Sequence, residues 1–496
     1  MPAFNHSGWR PPADAWTRRD VMRNGMASFA GLCLLGNAPG TRRPGSKAVT
    51  SAALRAQVRA PFEPFRRDLP IPPELVPTRR TRNEEFFETT IREGIAEILP
   101  GFDTPVYGYD GIYPGPTIRA STGRTTVLTT RNALAFHQNV HLHGGLQAPR
   151  DDGHPQDLIV PGGSFAYRYP NDQDASTLWY HDHAHGANSR TIYFGLAGFY
   201  LLEDDLERDL ELPRGKYDVP LMIQDRAFNR DGSLRYGEDI DLGFLGDTIL
   251  VNGAVAPRMQ VERRLYRLRF LNGSNARDYR LRLGRGRVMT QIGSDGGLLE
   301  FPLRRRRFTL SPAERADILI DFRDYRPGTE LVLRNELGER STVAVMRFDV
   351  VRGGGSEEAR IRRALRPLAP LPRPNAERSW VLSMAGTEWH IGGRAWNPNR
   401  IDCRPRLGTS ELWQFVNRSQ RVHPMHIHGC HFRVVARGSG RVTDDDRGWK
   451  DTVRVAPDER VTVQPYITSF PGRYVFHCHA LEHATAGMML QMEVVR

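Results

Sequence analysis

At 496 residues, 39 % of them hydrophobic, the chain has the length of about three domains and enough apolar content for packed cores. No uninterrupted apolar run approaches the ~18–20 residues of a transmembrane helix, so no membrane span is expected. The net charge of +12 gives no reason to expect a nucleic-acid partner: +7 of it falls in residues 1–60, and 66 arginines stand beside three lysines (Lys47, Lys216, Lys450), a bias of composition rather than function.

Residues 1–60 read as a leader. Thr17-Arg18-Arg19-Asp20-Val21-Met22-Arg23 is a twin-arginine pattern, and a weakly apolar stretch follows over 26–35. Such a signal exports a protein already folded. A periplasmic or secreted location is therefore expected, with the twin-arginine export machinery as a partner and cleavage between residues 38 and 60. Cys33 lies inside this leader.

Short alternating segments bounded by Gly, Pro and Asp follow. Thr125-Thr126-Val127-Leu128-Thr129-Thr130, Tyr266-Arg267-Leu268-Arg269-Phe270-Leu271 and Val461-Thr462-Val463 are examples. Their spacing predicts an all-β chain of antiparallel Greek-key sandwiches. Charged, Pro-containing connectors at 203–216 and 353–378 divide it into units at 75–205, 206–352 and 375–496. No histidine occurs between Lys216 and Arg378, so a metal-free middle unit separates two His-rich ones.

The histidines carry the chemistry. Sixteen are present, and five His-X-His pairs occur where about half of one would be expected by chance. On an extended strand such a pair presents both imidazoles on one face. His141-Leu142-His143, His181-Asp182-His183, His426-Ile427-His428 and His477-Cys478-His479 would together offer eight nitrogens, enough for three metal ions around a shared dioxygen. In the last pair Cys478 faces away from its neighbours. A thiolate with imidazoles and the thioether of Met488 is the ligand set of a blue-copper centre. The run His477-Cys478-His479 would thus join two metal sites covalently.

In these residues the chain resembles the multicopper oxidases over about residues 80–496, and within them the branch of bacterial spore-coat laccases and bilirubin oxidase. The motifs are His141-Leu142-His143-Gly144, Trp179-Tyr180-His181-Asp182-His183, His423-Pro424-Met425-His426-Ile427-His428 and the run from His477 to Met488. Tyr113-Pro114-Gly115-Pro116-Thr117, Gln291-Ile292-Gly293-Ser294-Asp295-Gly296-Gly297, Pro312-Ala313-Glu314-Arg315 and Gly448-Trp449-Lys450-Asp451-Thr452 support it.

The resemblance implies three cupredoxin-like domains and four copper ions: one type 1, one type 2 and a type 3 pair. It implies a type 1 copper held by His423, Cys478 and His483 with Met488 axial. The type 2 copper would take His141 and His426. The type 3 pair would take His143, His181, His183, His428, His477 and His479. Asp152 matches the acid near the type 2 copper, a candidate proton relay. One position departs from the pattern: Ala484 stands where relatives carry a glutamate that helps deliver protons, leaving Glu482, Asp152 or water for that task. His154, His185 and His431 are expected outside the ligand set, and His137 and His390 in surface or core positions. Cys403 and Cys430 could pair in an oxidising compartment.

The expected activity is a laccase-like oxidase taking electrons from a small-molecule phenol, aromatic amine or bilirubin-like pigment and reducing dioxygen to water. Two other readings stand beside it. One is a cuprous oxidase of copper tolerance, although the 12 methionines form no cluster and 353–378 contains none. The other is a copper-free scaffold of cell division, whose members lack the ligands that this sequence retains.

Overall fold

The computed structural model describes residues 63–496 apart from 238, 354–358 and 439. The leader with Arg18 and Arg19, and Cys33 with it, lie outside these residues. Strands dominate, as the alternating segments predict. Among the described residues no helix is long and apolar enough to cross a membrane.

Six sheets form. The strands Glu84–Ala96, Thr125–Asn132 and Ser164–Tyr169 build one, joined by Arg79–Arg80 and Thr104–Tyr109. Facing it, Gly115–Ser121, Ala197–Glu203, Ser176–His181 and His141–His143 build a second. Their inner faces meet on Phe87, Ile91, Tyr109, Ile118 and Leu128, the two-sheet solution that buries one face of every strand.

The middle of the chain forms a seven-stranded sheet centred on Leu265–Asn272 and Arg315–Asp321, with a five-stranded partner that includes Tyr279–Leu283 and Phe308–Leu310. Leu268, Phe270, Leu281 and Ile318 fill the space between them.

In the last part, Glu377–Ala385, Leu412–Asn417 and Arg460–Tyr466 lie in one sheet. The other runs Thr452–Val455, His423–Ile427, Gly472–Cys478, Met489–Val494. Trp380, Trp413 and Phe476 pack between them. Trp413 is fully buried, so truncation to Ala would cost about 3–5 kcal/mol. The connector at 203–216 contains a short helix, Asp205–Asp209, where an irregular link was expected.

Cys403 and Cys430 are buried and unpaired. The bond considered from the sequence is thus absent, and burial drives the Cys403 thiol up to about 12 and raises that of Cys430 as well.

Candidate metal centre

Strand pairing assembles the histidines. The strand His141–His143 pairs with Ser176–His181, setting His141 opposite His181. The strand His423–Ile427 pairs with Gly472–Cys478, setting His426 opposite His477. Only the first His-X-His pair lies wholly on a strand. His183, His428 and His479 each fall beyond the end of theirs, where the backbone is free to turn the ring inward. The expectation of four pairs each displayed on a strand is corrected to that extent.

The side chains converge in groups whose donor atoms all lie within 4.8 Å of one another. His143, His181 and His479 form one trio, and His183, His428 and His477 another. His141 and His426 meet beside His143. The two halves interleave: His141 stacks on His428 with ring centroids 3.9 Å apart, and His143 on His426 at 3.7 Å. All ten histidines, Cys478 and Met488 are at most 1 % exposed.

Hydrogen bonds fix the tautomers. Nδ1 of His141, His181, His426 and His477 faces a backbone carbonyl, of Asp152, Asp182, Asp451 and Cys478 respectively, at 2.6–2.9 Å. A carbonyl only accepts, so these Nδ1 atoms carry the proton and Nε2 keeps its lone pair. His428 Nδ1 donates to Asp152 Oδ2 at 2.8 Å. His143 is reversed: its Nε2 meets Asp451 Oδ1 at 2.9 Å, leaving Nδ1 free.

The remaining nitrogens test the fit to a metal. His141 Nε2, His143 Nδ1, His181 Nε2, His426 Nε2 and both nitrogens of His479 are buried without a hydrogen-bond partner. His428 Nε2 and His477 Nε2 lie 3.1 Å apart, lone pair toward lone pair. Orphaned buried ring nitrogens of this kind are costly, and those that carry a lone pair are suited to a cation. Burial, reinforced by neighbouring imidazoles, drives His181, His183, His426, His428 and His479 well below the usual imidazole value, and burial brings His477 to about 4. The rings are therefore neutral and available as ligands.

A second group stands apart from these. Cys478 Sγ lies 3.5 Å from His423 Nδ1 and 3.6 Å from His483 Nδ1, and the two nitrogens are 3.2 Å apart. His483 Nε2 donates to the Asp241 carbonyl at 3.0 Å, so its Nδ1 holds the lone pair. His423 Nε2 meets Ser419 Oγ at 2.8 Å. Burial raises the Cys478 thiol, so a thiolate there requires a cation beside it. Soft sulfur with two imidazoles, and eight imidazoles alongside, match copper. The backbone N–H of Met488 donates to the His483 carbonyl at 3.0 Å, and that of Cys478 to the Met488 carbonyl at 3.1 Å, which ties Met488 to this group.

The surroundings explain motifs whose role the sequence left open. Arg315 forks onto Asp451 with both Nη atoms, at 2.8 and 2.5 Å, and its Nη2 also reaches the Asp295 carbonyl at 3.0 Å. Lys450 bridges Asp295 and Glu314, each at 3.0 Å. Burial opposes the charge of Asp451, yet Arg315 holds its carboxyl well below the usual range. A fixed carboxylate thus orients His143. Gly144, at φ +83°, lies where a Cβ would stand 2.6 Å from Asp451 Oδ2 and 2.7 Å from Arg315 Nη2, so no other residue fits behind His143.

Asp152 touches the centre twice, by its carbonyl and by its carboxylate, while Gln147 Nε2 holds its Oδ1 at 2.6 Å. Glu482 is buried and accepts from Tyr236 Oη at 2.8 Å and Asn275 Nδ2 at 2.7 Å. Burial raises its pKa against those two bonds. Ala484 is fully buried. His154 bonds Gln491, His431 bonds the Gly144 carbonyl, and exposed His185 stacks on Trp396. His137 and His390 are half-buried.

The chain is similar to known proteins in sequence and in fold. The multicopper oxidase family models match residues 90–207 and 370–496. A laccase of Bacillus stratosphericus is 35 % identical, the match covering 88 % of this chain and all of that one. The cell division protein FtsP of Salmonella typhimurium is 34 % identical, with 89 % and 94 % covered. The crystal structure of a laccase from Pediococcus acidilactici superposes with a TM-score of 0.81 at 34 % identity, covering 88 % of this chain and 96 % of that one.

Proposed function

The chain belongs to the multicopper oxidase family, in its laccase-like branch, and from that premise we propose that it is an exported oxidase coupling one-electron oxidation of phenols or aromatic amines to reduction of dioxygen to water. One observation carries this reading. Cys478 belongs to the sulfur-containing group, while its neighbours His477 and His479 belong to the two separate histidine trios. Electrons accepted at the first group therefore have a route of a few bonds to the second.

We assign one site to His423, Cys478, His483 and Met488, which would hold one ion, and one to His141 and His426, which would hold another. The remaining pair falls to His143, His181 and His479 on one side and His183, His428 and His477 on the other. Copper held by these residues would supply one-electron acceptance at the thiolate and multi-electron reduction of dioxygen at the histidines. The protein's own part is positioning and proton handling. Backbone carbonyls and Asp451 fix the rings, and Arg315 fixes Asp451. Asp152 holds His428 and is placed to move protons toward the centre, which burial closes to bulk water. Domain boundaries at 75–205, 206–352 and 375–496, and export of the folded chain through the twin-arginine route to the periplasm or beyond, complete the reading.

The similarity to FtsP raises a second one, a scaffold of cell division. It has no use for ten buried histidines and a buried cysteine with their acceptors left open, and we rank it behind the oxidase. The test is turnover of a phenol, bilirubin and cuprous ion by copper-loaded protein. Oxidation of the phenol is expected. Turnover of cuprous ion alone would favour copper tolerance, and failure to bind copper would favour the scaffold.

A further inference from the structure

At one end of the middle sandwich a cleft of ≈ 570 Å³ opens between two turns. One turn, after the strand Tyr279–Leu283, holds Gly284, Arg285 and Gly286; the other, after Gly297–Arg305, holds Arg306 and Arg307. Six arginines line the cleft (Arg282, Arg285 and Arg304 to Arg307), against two carboxylates, Glu336 and Asp444.

The acceptors present do not satisfy these guanidinium groups. Glu336 alone serves Arg282 at 3.2 Å, Arg280 at 3.4 Å and Arg307 at 3.6 Å. Nε of Arg282 is buried with no hydrogen-bond partner. Arg306 spends one Nη on the Gly286 carbonyl at 2.7 Å, and Arg305 is engaged by Gln291 and Asp445. Arg285 and Arg304 are exposed, and neither side chain has a hydrogen bond or ion pair among the described residues. Gly284 and Gly286 both have positive φ, +52° and +87°, which holds the turn tight and sets Arg285 at the rim.

Like charges lining one cleft repel unless an anion joins them, and a concave wall concentrates their field. A guanidinium is a rigid fork of five N–H donors shaped for oxyanions. The volume lies within the range of ligand sites and exceeds what one phosphate fills. We infer that this cleft binds a polyvalent oxyanion, a chain of linked phosphate groups, with Arg285 and Arg304 as its two free anchors. The site involves none of the copper-binding residues and stands or falls independently of the oxidase reading.

Calorimetric titration of the full chain with sodium tripolyphosphate tests it, in copper-free and copper-loaded forms. One binding event per chain is expected in both, weakening as salt is raised. The double variant Arg285→Ala/Arg304→Ala should lose ~10²-fold in affinity, the scale of two charge-assisted bonds. Both side chains are exposed and unpartnered, so an unchanged melting temperature is expected. Arg131→Ala/Arg373→Ala removes the same charge from exposed positions elsewhere and should bind like the parent. Inorganic phosphate should bind at least about tenfold more weakly. No retention on phosphatidylglycerol vesicles is expected, since their phosphates are single; retention lost in the Arg285/Arg304 variant would mean that the cleft reads a membrane surface instead of a linked chain, and would overturn the inference. Equal losses in the two double variants, or tripolyphosphate binding no tighter than phosphate, would overturn the inference.

Discussion

His483 Nε2 donates a hydrogen bond to the backbone carbonyl of Asp241, 3.0 Å away. That carbonyl covers one edge of the imidazole. The segment is pinned twice more. Arg421 grips the Asp241 carboxylate at 3.0 and 2.5 Å, and Trp389, whose ring lies 4.5 Å from that of His483, donates Nε1–H to the Ile240 carbonyl at 2.5 Å. The middle part of the chain thus reaches over the sulfur-containing group of the last part.

Loosening this cover should favour bulky reductants. Arg421 and Asp241 are 34 % and 50 % exposed, so their ion pair contributes only ~0.2–1 kcal/mol. Arg421→Ala should therefore raise kcat/KM for a bulky phenol by no more than about fivefold, with a smaller change for a small one. Steady-state comparison of two phenols of different size checks this. Equal effects on both would mean that the segment does not govern access.

Cys478→Ser should abolish the intense blue absorption and phenol oxidation together, because serine is a poor ligand for a soft copper site. Copper content by mass spectrometry should fall by one ion per chain while the histidine groups keep theirs. Oxidase activity above a few per cent would remove Cys478 from its assigned role.

Met488→Leu should leave the copper in place, since three strong ligands remain, and raise its reduction potential by removing axial donation. A redox titration followed at the blue band measures this. An unchanged potential, or loss of the ion, would point to Met489 or another neighbour.

Asp152→Asn keeps a hydrogen-bond acceptor for His428 and removes the ionisable carboxyl. If Asp152 moves protons for dioxygen reduction, kcat should fall ~10²-fold or more. Anaerobic bleaching of the blue band by substrate should stay as fast as in the parent. Stopped-flow separates the two half-reactions. Reoxidation by dioxygen at the parental rate would leave Asp152 as a positioning residue for His428 alone.

Much of the centre was legible because ligand spacing is local. His141 and His143, or His477 to His479, declare themselves within three residues, and alternating segments such as Tyr266 to Leu271 announce the sandwiches. What the sequence hid was long-range. Asp451 and Arg315 are 136 residues apart, and only the folded chain shows that they form one ion pair under His143. The Asp241 cover involves a backbone carbonyl, which has no residue signature at all. The turn of His183, His428 and His479 past their strand ends was likewise invisible, since a strand's length is set by its neighbours. Cys403 and Cys430 could have paired by count, and only the fold leaves each as a buried thiol.

The central claim is that thiolate and histidine groups act together to reduce dioxygen completely. The most direct test is the ratio of reductant oxidised to dioxygen consumed by the copper-loaded protein, read with an oxygen electrode and a chromogenic phenol while peroxide is assayed. The account predicts four one-electron oxidations per dioxygen and no peroxide. Two per dioxygen with peroxide accumulating, or no oxygen consumption by fully loaded protein, would contradict it.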